Sequence, residues 1–199
     1  MVSIPHLRLK AHFGFDDASK AFLLQGALPF STVLSEQRIC SVFRKHGCSM
    51  NGVYSTAIVL WAFMSQVMRD GKEAACQSAV ARIVAYLTKR GRHAPVTNTG
   101  NYCRARAKLP ERALKELSDT IAQEAQASAK PSWLWKGMSA KLVDGFTFKM
   151  PDTPENQRAY PQHTAQKPGL GFPIDLVFGF LYLATGFLLV AAVGPFRGK

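Results

Sequence analysis

Residues 176–196 read LVFGFLYLATGFLLVAAVGPF, a stretch of 21 residues without a charged side chain. As a single helix it would be about 31 Å long, which is enough to cross a bilayer, so a C-terminal membrane anchor is one interpretation. The pair Thr185-Gly186 near its middle is a turn signal that divides the stretch into two segments of strand length. Strands buried on both faces are typically as apolar as these two segments. The stretch therefore leaves two interpretations open, a membrane span and a β-hairpin.

The rest of the chain changes character near residue 130. Residues 131–150, PSWLWKGMSAKLVDGFTFKM, predict a strand that begins near Ala140, and residues 150–173, with five prolines, predict a loop. Upstream, apolar periodicity with Gly and Pro punctuation predicts helices over 34–46, 55–68, 72–89, 97–109 and 111–129. The 55–68 helix is apolar on all sides, which is typical of a buried core helix. We therefore predict an α+β chain that is all-helical up to residue 130.

Positive charge is concentrated in one part of the chain. The 199 residues carry 25 Lys and Arg against 13 Asp and Glu, a formal net charge of +12. Residues 82–115 contain nine of these bases and a single acid, Glu111. A one-signed cluster with interleaved Tyr, His and Asn favours a nucleic-acid partner, and a solvated helical surface is the alternative.

The expected DNA contacts are basic and amide side chains of this segment. Helical spacing places Asn101, Arg104 and Lys108 on one face, with Tyr102, Ala105 and Leu109 on another. Two helices joined by a turn, with bases on the second, resemble a helix-turn-helix reader of DNA. The residues predicted to contact DNA are Arg82, Lys89, Arg90, Arg92, Asn101, Arg104, Arg106 and Lys108.

The four cysteines, at positions 40, 48, 76 and 103, form no CxxC pair. This spacing excludes a zinc ribbon and favours reduced thiols over a disulfide framework. The first 15 residues contain no apolar run of signal-peptide length, which predicts a cytoplasmic protein.

Four motifs, in order along the chain, resemble bacterial insertion-sequence transposases of the DDE class. STAIVLWAFMSQVM (55–68) and TGNYCRARAKLP (99–110) resemble the N-terminal region of that family. KLVDGFTFKMPDTPENQRAYPQHTAQKPGLGFPI (141–174) and LATGFLLVAAVGPFRGK (183–199) resemble the entry to its catalytic core. The resemblance thus covers residues 55–199.

The resemblance implies two domains. Residues 1–130 would form a helical, basic region that binds double-stranded DNA at transposon ends, and residues 131–199 would begin a ribonuclease-H-like α/β catalytic domain. Residues 174–196 would then be the second and third strands of its sheet, with no membrane partner. It further implies a bacterial protein associated with the nucleoid, with a second copy of the chain as a candidate partner.

Asp144 matches the first catalytic aspartate of the family, within LVDGFT (142–147). The family implies two divalent metal ions, usually Mg²⁺, held by two aspartates and a glutamate, so Asp144 would be both a catalytic residue and a metal ligand. From the residues alone, Asp144-Gly145 is a common turn pair, which favours a turn at this position over a catalytic role. Asp152 is expected to organise the loop, and His163 to be a surface residue rather than a metal ligand.

The chain also departs from the family pattern. The acids that follow Asp144 are Asp152, Glu155 and Asp175, whereas the family's second aspartate and its glutamate lie downstream of the segment that matches residues 194–199. Phe146 stands where the family more often has a small hydroxyl residue. One carboxylate does not supply the oxygen ligands that two Mg²⁺ ions need.

We therefore expect a truncated transposase that binds Mg²⁺ poorly and does not cleave DNA by itself. Mg²⁺-dependent nicking by the chain, abolished by Asp144→Ala, would contradict this expectation. A repressor-like, DNA-binding remnant of a transposase is the first alternative, and a membrane-anchored protein is the second.

Overall fold

The computed structural model describes residues 33–165, 167 and 169–196. This part of the chain folds into six α-helices and three β-strands, which confirms a mixed α+β architecture. The described residues divide into two compact units, the first up to Leu117 and the second from Ser118, and this division lies within a helix. The predicted lack of a signal peptide concerns residues 1–15, which lie outside the described residues.

The helices of the first unit follow the apolar periodicity of the sequence. They are α1 (Glu36–Lys45), α2 (Thr56–Val67), α3 (Cys76–Lys89), α4 (Thr99–Arg106) and the first part of α5 (Glu111–Ala127). The predicted start of the third helix at residue 72 is wrong. Gly71–Ala74 forms a 3-10 turn and Ala75 is extended, so α3 begins at Cys76.

Helix α2 is the centre of the first unit, as its apolar composition predicts. It packs against α1, α3 and α4, and residues 56–62 are all buried. Its two buried hydroxyls are satisfied, because Thr56 Oγ1 accepts the Met50 N–H at 3.0 Å and Ser65 Oγ donates to the Ala62 carbonyl at 2.8 Å. Burial of polar groups is tolerated when such bonds are made, so these two hydroxyl residues can lie in the buried part of α2.

The second unit contains a three-stranded antiparallel sheet in the order β1 (Lys141–Lys149), β2 (Ile174–Tyr182) and β3 (Phe187–Pro195). Strands β2 and β3 form a hairpin whose turn is closed by the N–H groups of Thr185 and Gly186, which both donate to the Tyr182 carbonyl. Gly186 has a φ of 71°, a conformation that favours glycine. The hairpin interpretation of residues 176–196 is therefore confirmed, and the single-helix interpretation is wrong. The expected burial of both strands on both faces is wrong, because most of their residues are exposed or half-buried. Within the described part of the chain, no helix combines the length and the apolarity that a membrane crossing requires.

The segment between β1 and β2, predicted to be a loop, contains a short helix α6 (Pro154–Ala159). Thr153 caps this helix, since its Oγ1 accepts the Asn156 N–H at 3.2 Å. Proline suits the first helical position because its missing N–H would have no partner there. Pro154 therefore begins a helix, although prolines in this segment are expected only to interrupt helices and strands.

Large apolar side chains are exposed on all three strands of the sheet. Every residue of β1 is exposed, and among the described residues β1 pairs with β2 alone. Strands this apolar are ordinarily covered on both faces. The exposed side chains are Leu142, Val143, Phe146, Phe148, Phe178, Phe180, Phe187, Leu188, Val190 and Val193.

Gly145 is required by the packing of the aromatic ring opposite to it. Phe178 is the direct partner of Gly145 in the β1–β2 register, and a Cβ on Gly145 would lie 2.7 Å from Cδ1 of Phe178. We expect Gly145→Ala to lower the free energy of unfolding by about 1 kcal/mol, because the ring must move aside. The matched control is Gly194→Ala on β3, where a Cβ would meet nothing within 4 Å. Equal urea midpoints for the two variants would contradict this prediction.

Candidate nucleic-acid interface

The nine basic residues of segment 82–115 fall into two groups by exposure. Arg82 is buried and Arg106 is half-buried, whereas the other seven are exposed. The acid of this segment, Glu111, is exposed as well. We define the basic surface as the seven exposed residues Lys89, Arg90, Arg92, Arg104, Lys108, Arg112 and Lys115.

Arg82 does not fit its predicted role as a DNA contact. Its side chain is 8% exposed; Nε donates to Ser65 Oγ at 3.1 Å and Nη2 to the Glu73 carbonyl at 3.1 Å. Burial, and secondarily the charge of Arg69, lowers the pKa of Arg82. This guanidinium therefore joins α3 to α2 and to the turn before α3, and is not presented to a phosphate.

Arg106 is also engaged inside the helical unit. Its Nη1 donates to Gln66 Oε1 at 3.0 Å, and the guanidinium lies 5.8 Å from the ring centres of both Phe63 and Tyr102. A cation against aromatic faces contributes to packing as well as to charge. Arg106 therefore holds α4 against α2, which corrects its assignment to the DNA-contacting face.

Helix α4 carries the predicted exposed stripe. Asn101, Arg104 and Lys108 are all exposed, and Arg104 donates from Nη2 to Asn101 Oδ1. On the other side of the helix Tyr102 and Ala105 are buried. The prediction is confirmed for Asn101, Tyr102, Arg104 and Ala105, which the helical spacing assigns to the sides on which they are found. Lys108 is exposed but lies in the turn after α4, so the predicted helix to residue 109 is too long.

The start of α4 is fixed by a side-chain cap. Asn98 Oδ1 accepts the Gly100 N–H at 2.7 Å, which satisfies one of the unpaired N–H groups at the helix N-terminus. Helix α4 ends at Arg106, with Ala107 as its C-cap, so it has eight residues and stops before Pro110 is reached. Short as it is, α4 is anchored by its contacts with α2 and α3.

The C-terminal end of α3 presents three more bases of the basic surface. Gly91 has a φ of 64°, and the Arg92 N–H donates to the Leu87 carbonyl at 2.9 Å, a common way to end a helix. The Arg90 guanidinium lies 4.8 Å from the centre of the Tyr86 ring. Cations at a helix C-terminus also interact favourably with the helix dipole, so part of this charge stabilises α3 itself.

The connection between α3 and α4 differs from that of a helix-turn-helix reader. Nine residues, 90–98, separate the two helices, whereas the motif uses a turn of three or four residues. The predicted pair of helices is present, but the short turn is not. Any DNA contact by α4 thus has a geometry other than that of this motif.

One base outside the segment is neutralised by a carboxylate. Glu116 of α5 accepts from Lys45 Nζ at 2.8 Å and contacts His46 Nε2 at 2.7 Å. The hydrogen bonds from Lys45 and His46 lower the pKa of Glu116. Lys45 is therefore engaged by α5 and does not extend the basic surface.

Asp144 lies in the middle of β1, opposite Gly179 of β2. The turn interpretation of Asp144-Gly145 is therefore wrong: both residues belong to a regular ladder. The Asp144 side chain is exposed, and its Oδ1 accepts the Gly145 N–H at 2.8 Å. A carboxylate here has one oxygen engaged by the backbone of its own strand.

The carboxylates of the described residues do not form a two-metal site. No group of three or more His, Cys, Asp or Glu side chains that could hold a metal ion occurs among the residues that the structure describes. Asp175 pairs with Phe148, four residues along β1 from Asp144, so the two acids are about 13 Å apart along the strands. The described carboxylates therefore do not assemble the set of oxygen ligands that a pair of Mg²⁺ ions needs.

The remaining polar residues singled out by the sequence organise the segment around α6. Gln157 Nε2 donates to Asp152 Oδ1 and to the Gly171 carbonyl, both at 2.9 Å. This supports the loop-organising role predicted for Asp152. His163 Nδ1 accepts the Ala165 N–H at 3.1 Å, and its ring lies 5.7 Å from that of Phe196.

No protein-family model, curated protein or solved structure matches this chain. The resemblance to DDE transposases therefore depends on the sequence motifs alone and stays a prediction.

Proposed function

We propose that the helical unit binds double-stranded DNA through the basic surface. The observation that carries this proposal is that seven of the nine bases in residues 82–115 are exposed, against a single exposed acid. Phosphate neutralisation by Lys and Arg supplies most of the affinity of sequence-independent DNA binding. A concentrated, outward-facing set of bases is what such binding requires.

Helix α4 is the central element of the proposed interface. Arg104 and Lys108 offer charged donors to phosphate oxygens. The hydrogen bond from Arg104 Nη2 to Asn101 Oδ1 orients the side chains of Arg104 and Asn101. The amide NH₂ of Asn101 is a further donor that phosphate oxygens accept. Contacts of this kind fix the position of a protein on DNA without reading the bases.

We further propose that the second unit begins a ribonuclease-H-like core of a DDE transposase, with Asp144 in the place of the first catalytic aspartate. Two observations support this: Asp144 lies on the first strand of the sheet, and β2 and β3 follow as a hairpin with its turn at residues 183–186. A nucleoid-associated protein of the bacterial cytoplasm would follow from the two proposals together.

The chain described here is proposed to bind DNA without cleaving it. Among the described residues no group of three or more His, Cys, Asp or Glu side chains assembles around Asp144, whereas phosphodiester cleavage by two metals needs such a set of ligands. The same observation favours the repressor-like alternative, a DNA-binding remnant that occupies transposon ends and does not cleave or join DNA.

The proposal is tested by removing two charges from α4 and its C-terminal end. We expect Arg104→Ala with Lys108→Ala to weaken binding of a duplex about ten- to a hundredfold at 100 mM salt, because two phosphate contacts are lost. Both residues are exposed, so the fold should persist, which circular dichroism checks. The measurement is the dissociation constant from fluorescence anisotropy of a labelled duplex.

The matched control removes the same charge elsewhere in the helical unit. Arg44→Ala with Lys72→Ala changes two exposed bases that lie outside segment 82–115. The control is expected to bind within about threefold of the unchanged chain. Equal weakening by the two double variants would show that net charge, rather than the basic surface, governs binding.

A further inference from the structure

Two cysteines from different helices meet in the first unit, close to Arg106. Cys76 is the first residue of α3, and Cys103 lies in α4. Arg106 Nη1 lies 3.8 Å from the Cys76 sulfur, and Cys103 lies three residues before Arg106, on the same face of α4. The two thiols interact, and the interaction shifts the pKa values of both. Both side chains are half-buried and free of any disulfide, so a small oxidant in solution can reach them.

The surroundings of Cys76 stabilise a thiolate. Gln66 Nε2 and Arg106 Nη1 approach its sulfur as donors, at 3.6 and 3.8 Å. The sulfur also belongs to the first residue of a helix, where the helix dipole favours negative charge. Partial burial alone would raise the pKa of Cys76, but the hydrogen bonds from Gln66 and Cys103 and the charge of Arg106 outweigh it and lower the pKa.

The other thiols lack this environment. Burial, and then the charge of Glu36, raises the pKa of Cys40, and Cys48 is buried. Cys103 donates to Cys76, and this hydrogen bond raises the pKa of Cys103. Cys76 is thus favoured as the nucleophile, and Cys103 is a neighbouring thiol whose pKa is raised, a combination that is typical of a redox-active pair.

We propose that Cys76 and Cys103 form a reversible thiol–disulfide site whose oxidant is a hydroperoxide. Cys76 is the sulfur that reacts first, and Cys103 is the thiol that resolves the product. This inference goes beyond DNA binding and does not depend on it.

The reaction proceeds in two balanced steps. The Cys76 sulfur attacks one oxygen of the hydroperoxide; a sulfur–oxygen bond forms, the oxygen–oxygen bond breaks, and the alcohol (or water) leaves with the thiol proton. The Cys103 sulfur then attacks the sulfenic acid at Cys76; the disulfide forms, the sulfur–oxygen bond breaks, and water leaves with the Cys103 proton. Two thiols lose two electrons in total, and the hydroperoxide gains them.

The disulfide would change the structure around α4. It would join the N-terminal end of α3 covalently to α4, and it would change the sulfur that accepts from Gln66 and Arg106. A thiol reductant reverses the bond by exchange, with a rate that depends on access to the two sulfurs. Cys76 and Cys103 thus give the helical unit two covalent states, a reduced dithiol and an oxidised disulfide.

The test uses the reduced full-length chain treated with dilute hydrogen peroxide at pH 7. After alkylation of the remaining thiols and proteolysis, mass spectrometry is expected to find a peptide pair joined through Cys76 and Cys103 that disappears after reduction. In Cys103→Ser, the sulfenic acid at Cys76 is expected to persist and to be trapped by dimedone. Circular dichroism checks the fold of the variant, and Cys103→Ala provides a second version of it.

Cys40 is the internal control in the same molecule. Alkylation of Cys76 by iodoacetamide at pH 7 is expected to be faster than that of Cys40 by about threefold for each unit that separates their pKa values, because the gain in thiolate is partly offset by lower nucleophilicity. Absence of the Cys76–Cys103 pair after oxidation, or oxidation of Cys40 as fast as that of Cys76, would overturn the proposal.

Discussion

The affinity of the chain for duplex DNA is expected to fall by about 10²- to 10⁴-fold when monovalent salt rises from 50 to 200 mM. Each phosphate contact releases a condensed counterion and contributes about −0.9 to the slope of log affinity against log salt. Four contacts from the basic surface would give the lower figure, and all seven exposed bases would give the upper one. Arg82 and Arg106 are left out of this count because their guanidinium groups are engaged inside the unit.

The salt dependence is measured by anisotropy with a duplex of arbitrary sequence, at fixed pH. A matched titration with a neutral osmolyte in place of salt controls for non-specific solvent effects. An affinity that stays constant across this range would mean that the bases of segment 82–115 are a solvated surface, the alternative interpretation of the charge.

Replacement of Tyr102 by alanine is expected to cost about 3–5 kcal/mol of the free energy of unfolding of the helical unit. Tyr102 is 0% exposed and is among the largest fully buried side chains. Its hydroxyl donates to Gln66 Oε1 at 2.9 Å, and Arg106 lies over its ring. Because this residue anchors α4 to α2, the loss should also detach the helix that presents Arg104.

Tyr102→Phe is the matched variant, since it keeps the ring and removes the hydroxyl. It is expected to cost about 1 kcal/mol and to leave DNA binding intact. Burial raises the pKa of Tyr102 to about 12 from its usual 10.0. The unchanged chain should therefore hold an advantage over Tyr102→Phe below pH 10 that is lost as the pH rises towards 12. Equal urea midpoints for Tyr102→Ala and Tyr102→Phe would contradict the anchoring role of the ring.

The sequence predicts the helical unit well because its signals are local. The periodicity that buries Ile39, Val42 and Phe43 in α1 is visible in the chain, as is the Asn98 cap of α4. The burial of an arginine side chain in a basic helix, by contrast, cannot be predicted from the residues next to it in the sequence. The buried guanidinium of Arg82 is satisfied by hydrogen bonds to Ser65 Oγ and to the Glu73 carbonyl, which belong to other elements of the fold.

The second unit also has features that depend on contacts between residues far apart in the sequence. Asp144-Gly145 has the composition of a turn, and its place inside a strand follows from pairing with β2 and from the ring of Phe178 over Gly145. The helix α6 was missed because the prolines around it signal interruption, although Thr153-Pro154 is also a helix start. The meeting of Cys76 and Cys103 has no sequence signal, since 26 residues separate them and neither belongs to a CxxC motif.

The most direct test of the central claim is the salt slope of DNA binding, compared between the unchanged chain and Arg104→Ala with Lys108→Ala. If these two side chains contact phosphates, the slope of log affinity against log salt should become shallower by about 2, while Arg44→Ala with Lys72→Ala leaves it unchanged. A slope that is the same in all three proteins would contradict the assignment of the DNA-binding surface to α4 and its flanking bases.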